Sequence, residues 1–254
     1  MSGERGMIGH FKRKKIAREE GIVVTRGGDT PIDESYNRLK DNIIYYSDGG
    51  KHKVIQIESA IMGEGKTTLV SNLAVSLAFN DKKVAIVDVD FRRARLHRAF
   101  RIECENGISD YLSGEKTLDQ VIKHTEYGVD VVTRGGNVPN SSLVLTSDKF
   151  RSMIESLAEN YDFVLLDCPP VLLISDYINI ARYSDGILFV SSFGYTKKSA
   201  IREAVALLRK TGREIIGAAM TFANSSTGKY GYSRYGYRGY GYGYSHYGHR
   251  GEEK

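Results

Sequence analysis

The stretch Ser59-Ala60-Ile61-Met62-Gly63-Glu64-Gly65-Lys66-Thr67-Thr68 constrains the fold of this 254-residue chain more than any other. The apolar run from Lys53 to Ile57 before it reads as a buried strand. Leu69, Leu73 and Leu77 after it, four apart, read as one stripe of a helix. A strand, a Gly-rich turn ending in Lys-Thr and a helix form the setting of a phosphate-binding loop. The glycines let backbone N–H groups curl around an anion, and the helix N-terminus adds partial positive charge. On this reading Gly63, Glu64, Gly65, Lys66, Thr67 and Thr68 bind ATP. Lys66 reaches the β- and γ-phosphates, and the Thr67 hydroxyl holds Mg²⁺. Ala60 stands at the first glycine of the strict pattern, so the context carries the reading rather than the motif alone.

The rest of the chain supplies a matching frame. Lys83 to Asp90 is an apolar strand whose last carboxylates, Asp88 and Asp90, fall on one side of an extended chain. At the carboxyl end of a parallel strand they sit where phosphates and metal bind, with Arg92-Arg93-Ala94-Arg95-Leu96-His97 next to them. Asp162 to Pro170 runs through four apolar residues into Asp167, a second metal-binding carboxylate of Walker B type. Further strands are expected over 129–133, 186–190 and 215–222, and helices over 147–160 and 197–212. Residues 107–127 read as short helical pieces. Alternating strands and helices predict an α/β P-loop NTPase: a mostly parallel sheet covered by helices on both faces. Thr30-Pro31-Ile32-Asp33 predicts a helix start, with Tyr36, Leu39 and Ile43 on its packed face and Glu34, Asn37, Arg38, Lys40 and Asp41 on the other. His97 has no second His or Cys near it and reads as packing or capping.

Charge and composition divide the chain into a basic arm over 1–28, a P-loop domain over 29–223 and a Gly/Tyr-rich tail over 224–254. Residues 1–30 carry seven Lys/Arg against four Asp/Glu, and the tail five against two, which leaves a nearly neutral body. That distribution argues against a nucleic-acid-binding domain. The arm, with Lys12-Arg13-Lys14-Lys15, reads as a solvated segment or a contact to anionic lipid or an acidic partner. Cys104 and Cys168 are too few and too far apart for a disulfide framework or a zinc site, as in a reduced cytoplasmic protein. No signal peptide or membrane-spanning run is visible, so membrane association is expected only through a partner or weak electrostatics.

In the tail, Tyr230, Tyr232, Tyr235, Tyr237, Tyr240, Tyr242, Tyr244 and Tyr247 alternate with glycine and arginine, and no aliphatic residue lies among them. Such a segment cannot build a core. It reads as an assembly linker, as a stacking surface for single-stranded nucleic acid, or as substrate. Topology favours the last. If 215–222 is the final parallel strand, it ends at the edge that carries the phosphate loop. A flexible segment of about 20 residues then spans roughly 25 Å, enough to present phenols to its own site or a neighbour's. Asp88 is the candidate acceptor of the phenol proton, against Asp90.

These residues resemble the bacterial tyrosine kinases of capsule and exopolysaccharide synthesis. The resemblance covers about residues 29–250. It rests on Gly63-Glu64-Gly65-Lys66-Thr67, on Asp88, Asp90 and Arg92 with His97, on Leu165-Leu166-Asp167-Cys168-Pro169-Pro170, and on the terminal tyrosines. It implies a MinD/ParA-like fold and an ATP- and Mg²⁺-dependent autokinase acting in trans within a ring. Its implied catalytic residues are Lys66, Asp88 and Asp90. Thr67, Asp90 and Asp167 are the implied metal ligands, with Arg92 on the nucleotide and the eight tyrosines as phosphoacceptors. It also implies activation by the cytoplasmic end of a membrane adaptor, a polysaccharide co-polymerase, which recruits the kinase to the inner face of the plasma membrane. A cognate tyrosine phosphatase completes the partners. Departures are Met62 and Ala94 where proline is usual, and Cys168 in place of threonine, which would add redox sensitivity. The ring motif reads Glu34, Asn37, Lys40, with Arg38 one place off. The alternatives are a partitioning ATPase of the same fold, which would carry lysine at Ile61, and a nucleotide-gated assembly protein whose tail is not modified.

Overall fold

The computed structural model describes residues 21–47, 50–138 and 140–223. The arm over 1–20 and the eight tail tyrosines lie outside the described residues. The chain divides into two units, residues 1–221 and 222–254, and every helix and strand described belongs to the first.

Seven strands form one sheet: β1 (Val54–Ser59), β2 (Val84–Asp88), β3 (Ile122–His124), β4 (Val129–Val132), β5 (Phe163–Asp167), β6 (Gly186–Ser192) and β7 (Glu214–Thr221), in the order β3-β4-β2-β5-β1-β6-β7. All pairings are parallel except β3 with β4. β1 lies where the connections turn from one side of the sheet to the other, the crevice in which open α/β sheets hold their ligands. β3 corrects the helical reading of its segment. After α4 (Ile108–Ser113) and α5 (Leu118–Val121) the chain turns back as a three-residue edge strand rather than continuing in helix.

Each central strand is buried on both faces, so its side chains feed two cores. On one face Ile55, Ile57, Ile86, Val131, Leu165 and Leu188 pack against α2 (Lys66–Ala78) and α1 (Pro31–Tyr46). On the other, Val54, Ala85, Val87, Val164 and Leu166 meet α7 (Asp148–Asn160), and Ile187 and Phe189 meet α9 (Lys198–Arg209). Two short helices, α6 (Ser141–Leu145) and α8 (Asp176–Ile180), complete that layer, and the turn α3 (Leu96–Ala99) follows β2.

α1 begins as the sequence predicts. The Thr30 hydroxyl accepts from the Asp33 amide, and the Asp33 carboxylate accepts from the Thr30 amide. Its outward face differs from expectation. Glu34, Arg38 and Asp41 are exposed, whereas Lys40 and Asn37 are turned inward and line a small cavity with Ser76 and Phe79 of the α2 region. The end of the expected arm is also docked. Asn72 on α2 accepts from the amides of Val23 and Val24 at 2.7 and 3.1 Å, and its side-chain amide donates to the Gly21 carbonyl at 3.0 Å. Val24 joins the core.

Candidate active site

The loop from Ala60 to Gly65 joins β1 to α2 with Gly63 and Gly65 both at φ +80°. Those left-handed values suit glycine and disfavour residues with a Cβ. They deliver Lys66 to the first position of the helix and leave the first amides of α2 at the carboxyl edge of the sheet.

Register carries the facing groups to the same edge. Asp167 ends β5 opposite Ile57 of β1 and opposite Asp88 of β2. Lys66 Nζ donates to Asp167 Oδ1 at 2.6 Å, and Thr67 Oγ1 donates to Asp167 Oδ2 at 2.7 Å. Asp167 is 1% exposed and Lys66 8%. Burial works against the ammonium, but the Asp167 charge outweighs it and holds the Lys66 pKa above its ordinary value.

Asp88 and Asp90 diverge. Asp88 is fully buried, and its Oδ2 accepts from the amides of Arg95 and Leu96 at 3.0 and 3.1 Å. The carboxylate therefore pins the arginine-rich loop, a role that the spacing of the two acids does not reveal. Its Oδ1 is buried with no partner among the described residues. Burial first, and then the Asp167 charge, push the Asp88 pKa up to about 8. Asp90 is half-buried and accepts from the Arg93 amide at 3.0 Å. Arg92 is exposed on the loop between them and α3. The His97 Nδ1 is buried without a partner among the described residues, and the Arg98, Arg134 and Lys123 charges add to burial in lowering its pKa.

Sequence reasoning missed the Gln56–Glu58 pair and the ties to Glu64. Gln56 and Glu58 alternate on one face of the central strand, the only sequence signal for a buried polar pair there, with Gln56 Nε2 donating to Glu58 Oε1 at 2.5 Å. Burial pushes Glu58 up to about 8. Its neighbour Cys168 is fully buried, and burial followed by the Glu58 charge raises the thiol well above its ordinary range. A thiol so placed is inert, which overturns the expected redox sensitivity. Thr196 and Thr221 both reach the loop residue Glu64, and nothing in the local sequence announces it.

The groups present fit a triphosphate with Mg²⁺. Left-handed glycines open the loop, a hydroxyl and a carboxylate meet at 2.7 Å, and an unpartnered carboxylate oxygen sits on the adjacent strand. No cluster of three or more His, Cys, Asp or Glu side chains suited to a metal occurs among the described residues. Mg²⁺ needs only one or two protein ligands when phosphate oxygens and water supply the others.

Residues 52–215 match the AAA domain family. The chain is 32% identical over 229 residues to tyrosine-protein kinase YwqD of Bacillus subtilis (strain 168), covering 90% of this chain and 95% of that one. It is 30% identical over 228 residues to tyrosine-protein kinase ptk of Acinetobacter johnsonii, covering 89% of this chain but spanning only 31% of that relative's length. Among solved structures, the kinase domain of Escherichia coli tyrosine kinase ETK superposes with a TM-score of 0.73 at 31% identity, over 83% of this chain and 86% of that one. The septum site-determining protein MinD of Pyrococcus horikoshii, complexed with Mg-ADP, gives 0.56 at 27% identity, over 65% and 68%.

Proposed function

Because the chain belongs to the bacterial tyrosine-protein kinases built on an AAA-type P-loop domain, we propose that it is an ATP-dependent autokinase whose substrates are its own C-terminal tyrosines. The observation that carries this reading is the meeting of Lys66, Thr67 and Asp167 at the sheet edge where β7, the last strand, also ends. The tail with Tyr230, Tyr232, Tyr235, Tyr237, Tyr240, Tyr242, Tyr244 and Tyr247 begins a few residues after that strand.

In this reading the amides of Gly63 to Thr68 cradle the phosphates of ATP, and Lys66 leaves Asp167 to neutralise the transferring group. Thr67, Asp167 and Asp90 would hold Mg²⁺, which would supply charge neutralisation to the triphosphate. Arg92 contacts the nucleotide from the exposed loop. A tyrosine oxygen attacks the γ-phosphorus, the bond to the β–γ bridging oxygen breaks, and ADP leaves. The phenol proton passes to Asp88, whose buried Oδ1 has no partner among the described residues, with Asp90 as the alternative. Phosphorylation runs in trans within a ring in which Glu34 and Arg38 of α1 meet the next copy. The cytoplasmic segment of a membrane co-polymerase recruits and activates the kinase at the inner face of the plasma membrane, a tyrosine phosphatase resets it, and the cycle regulates capsule or exopolysaccharide polymerisation and export.

The test is intact mass after incubation with Mg²⁺-ATP, with and without adaptor peptide, for wild type and Lys66→Met. Additions of about 80 Da mapping to Tyr230–Tyr247 in wild type, and none in the variant, are expected. An unmodified tail with adaptor present would sink the kinase reading and favour a nucleotide-gated assembly protein.

A further inference from the structure

The phosphate loop is held from behind by groups remote in sequence. The Glu64 side chain is 1% exposed and folds back onto its own loop, where Oε2 accepts from the Ile61 amide at 2.7 Å. Its Oε1 accepts from the Thr196 hydroxyl, which itself accepts from the Ser192 amide at the end of β6. The Glu64 carbonyl accepts from the Thr221 hydroxyl at 2.6 Å, and the Ser191 carbonyl lies 3.3 Å from the same oxygen. A fourth tie joins the Tyr195 hydroxyl to the Met62 carbonyl at 3.2 Å. The carboxylate and the carbonyl of one loop residue are thus both spent on the ends of β6 and β7. Thr221 is the last residue of β7 and of the first unit.

A phosphate loop binds through backbone amides, so its affinity depends on the loop holding its shape before the ligand arrives. We infer that Thr221 and Thr196 are positioning residues that act through Glu64 to pre-form the phosphate loop, and that they couple nucleotide binding to the end of β7. The inference rests on the loop being the ATP site. Coupling is reciprocal by thermodynamic necessity: whatever steadies Thr221 tightens ATP, and ATP steadies Thr221. The last residue of β7 thereby becomes part of the nucleotide site, although it touches no phosphate in this reading.

The isosteric substitution Thr221→Val removes only the hydroxyl, and Thr221→Ser keeps it. Titration calorimetry of the full chain with Mg²⁺-ATP is expected to show Kd raised roughly three- to tenfold in Thr221→Val, the effect of one lost hydrogen bond. Thr221→Ser should stay within about twofold of wild type. Thr196→Val should weaken binding by a similar factor, and provides the same test should Thr221→Val misfold. Hydrogen exchange separates coupling from a general loosening: Mg²⁺-ATP should slow amide exchange over residues 218–221 in wild type and not in Thr221→Val. Unchanged Kd in both valine variants overturns the inference, as does equal weakening in Thr221→Val and Thr221→Ser. Failure of wild type to bind Mg²⁺-ATP would instead overturn the site reading itself.

Discussion

The pair Lys66–Asp167 offers a quantitative check on how the site is held together in the absence of nucleotide. Both charges are almost removed from water, at 8% and 1% exposure, and meet at 2.6 Å. Removing one partner of a buried ion pair typically costs about 3–5 kcal/mol, because the other charge is left uncompensated. Lys66→Met strands Asp167 with only the Thr67 hydroxyl, and Asp167→Asn strands the Lys66 ammonium. Each single variant is therefore expected to lose about 3–5 kcal/mol, which for a domain of this size lowers Tm by roughly 6–20 °C. The double variant Lys66→Met/Asp167→Asn buries no charge at this point, and an asparagine oxygen still accepts from Thr67. It should lose less than the sum of the singles by at least about 2 kcal/mol, well outside the scatter of independent sites. Urea denaturation of the four proteins without nucleotide reads these terms directly. Additivity within about 0.5 kcal/mol would show that the two groups do not interact in the folded chain and would refute the reasoning.

Other expectations follow from neighbouring contacts. A Cβ at Gly107 would lie 2.3 Å from both the Gly135 amide nitrogen and the Thr133 carbonyl oxygen; Gly107→Ala should therefore lose about 1–3 kcal/mol, seen as a lower urea midpoint at unchanged slope. Hydrogen bonds from Thr30 and Thr25 lower the Asp33 pKa from 3.8, so its ionised form stabilises the fold above that value, and the contribution is lost as pH falls through the lower folded value. Urea midpoints should then show Asp33→Asn less stable than wild type at pH 7, with the gap still nearly full at pH 4 and closing as pH falls further below 3.8. Asp88→Asn replaces the carboxyl group whose Oδ2 pins Arg95 and Leu96; faster amide exchange at those two residues is expected, together with loss of tail phosphorylation.

How much of this was legible in the sequence depended on the range of the forces involved. The α1 start was readable because Thr30, Pro31 and Asp33 satisfy one another within four residues. The phosphate loop was readable because Gly63 and Gly65 occupy backbone space that other residues avoid. The β3 edge was not, since Ile122-Lys123-His124 is too short for periodicity and is set by pairing with β4 and by Lys123 Nζ reaching the Thr133 hydroxyl at 2.7 Å. Lys40 was read as outward-facing because a long cationic side chain is usually wet, yet its Nζ lies 3.5 Å from Asp41 and its stem lines the α1–α2 cavity. The Glu64 ties join residues 132 and 157 positions apart, so no local pattern encodes them.

The polar atoms left unpaired point the same way as the motifs. Among the described residues, the buried side-chain atoms without a partner are Glu58 Oε2, Ser71 Oγ, Asp88 Oδ1 and His97 Nδ1. Glu58 and Asp88 are borne on the strands that lead into the site, and His97 stands on the short helix that follows it. Each unsatisfied group costs about 1–3 kcal/mol, more when charged, so a chain selected for stability alone would have filled these positions with apolar side chains of similar volume. The two cores offset that cost because they fill both faces of the sheet. The unmet hydrogen-bonding capacity of Glu58 and Asp88, near the carboxyl ends of β1 and β2, is what a chain retains for function rather than for stability, and a donor-rich or cationic ligand would satisfy it.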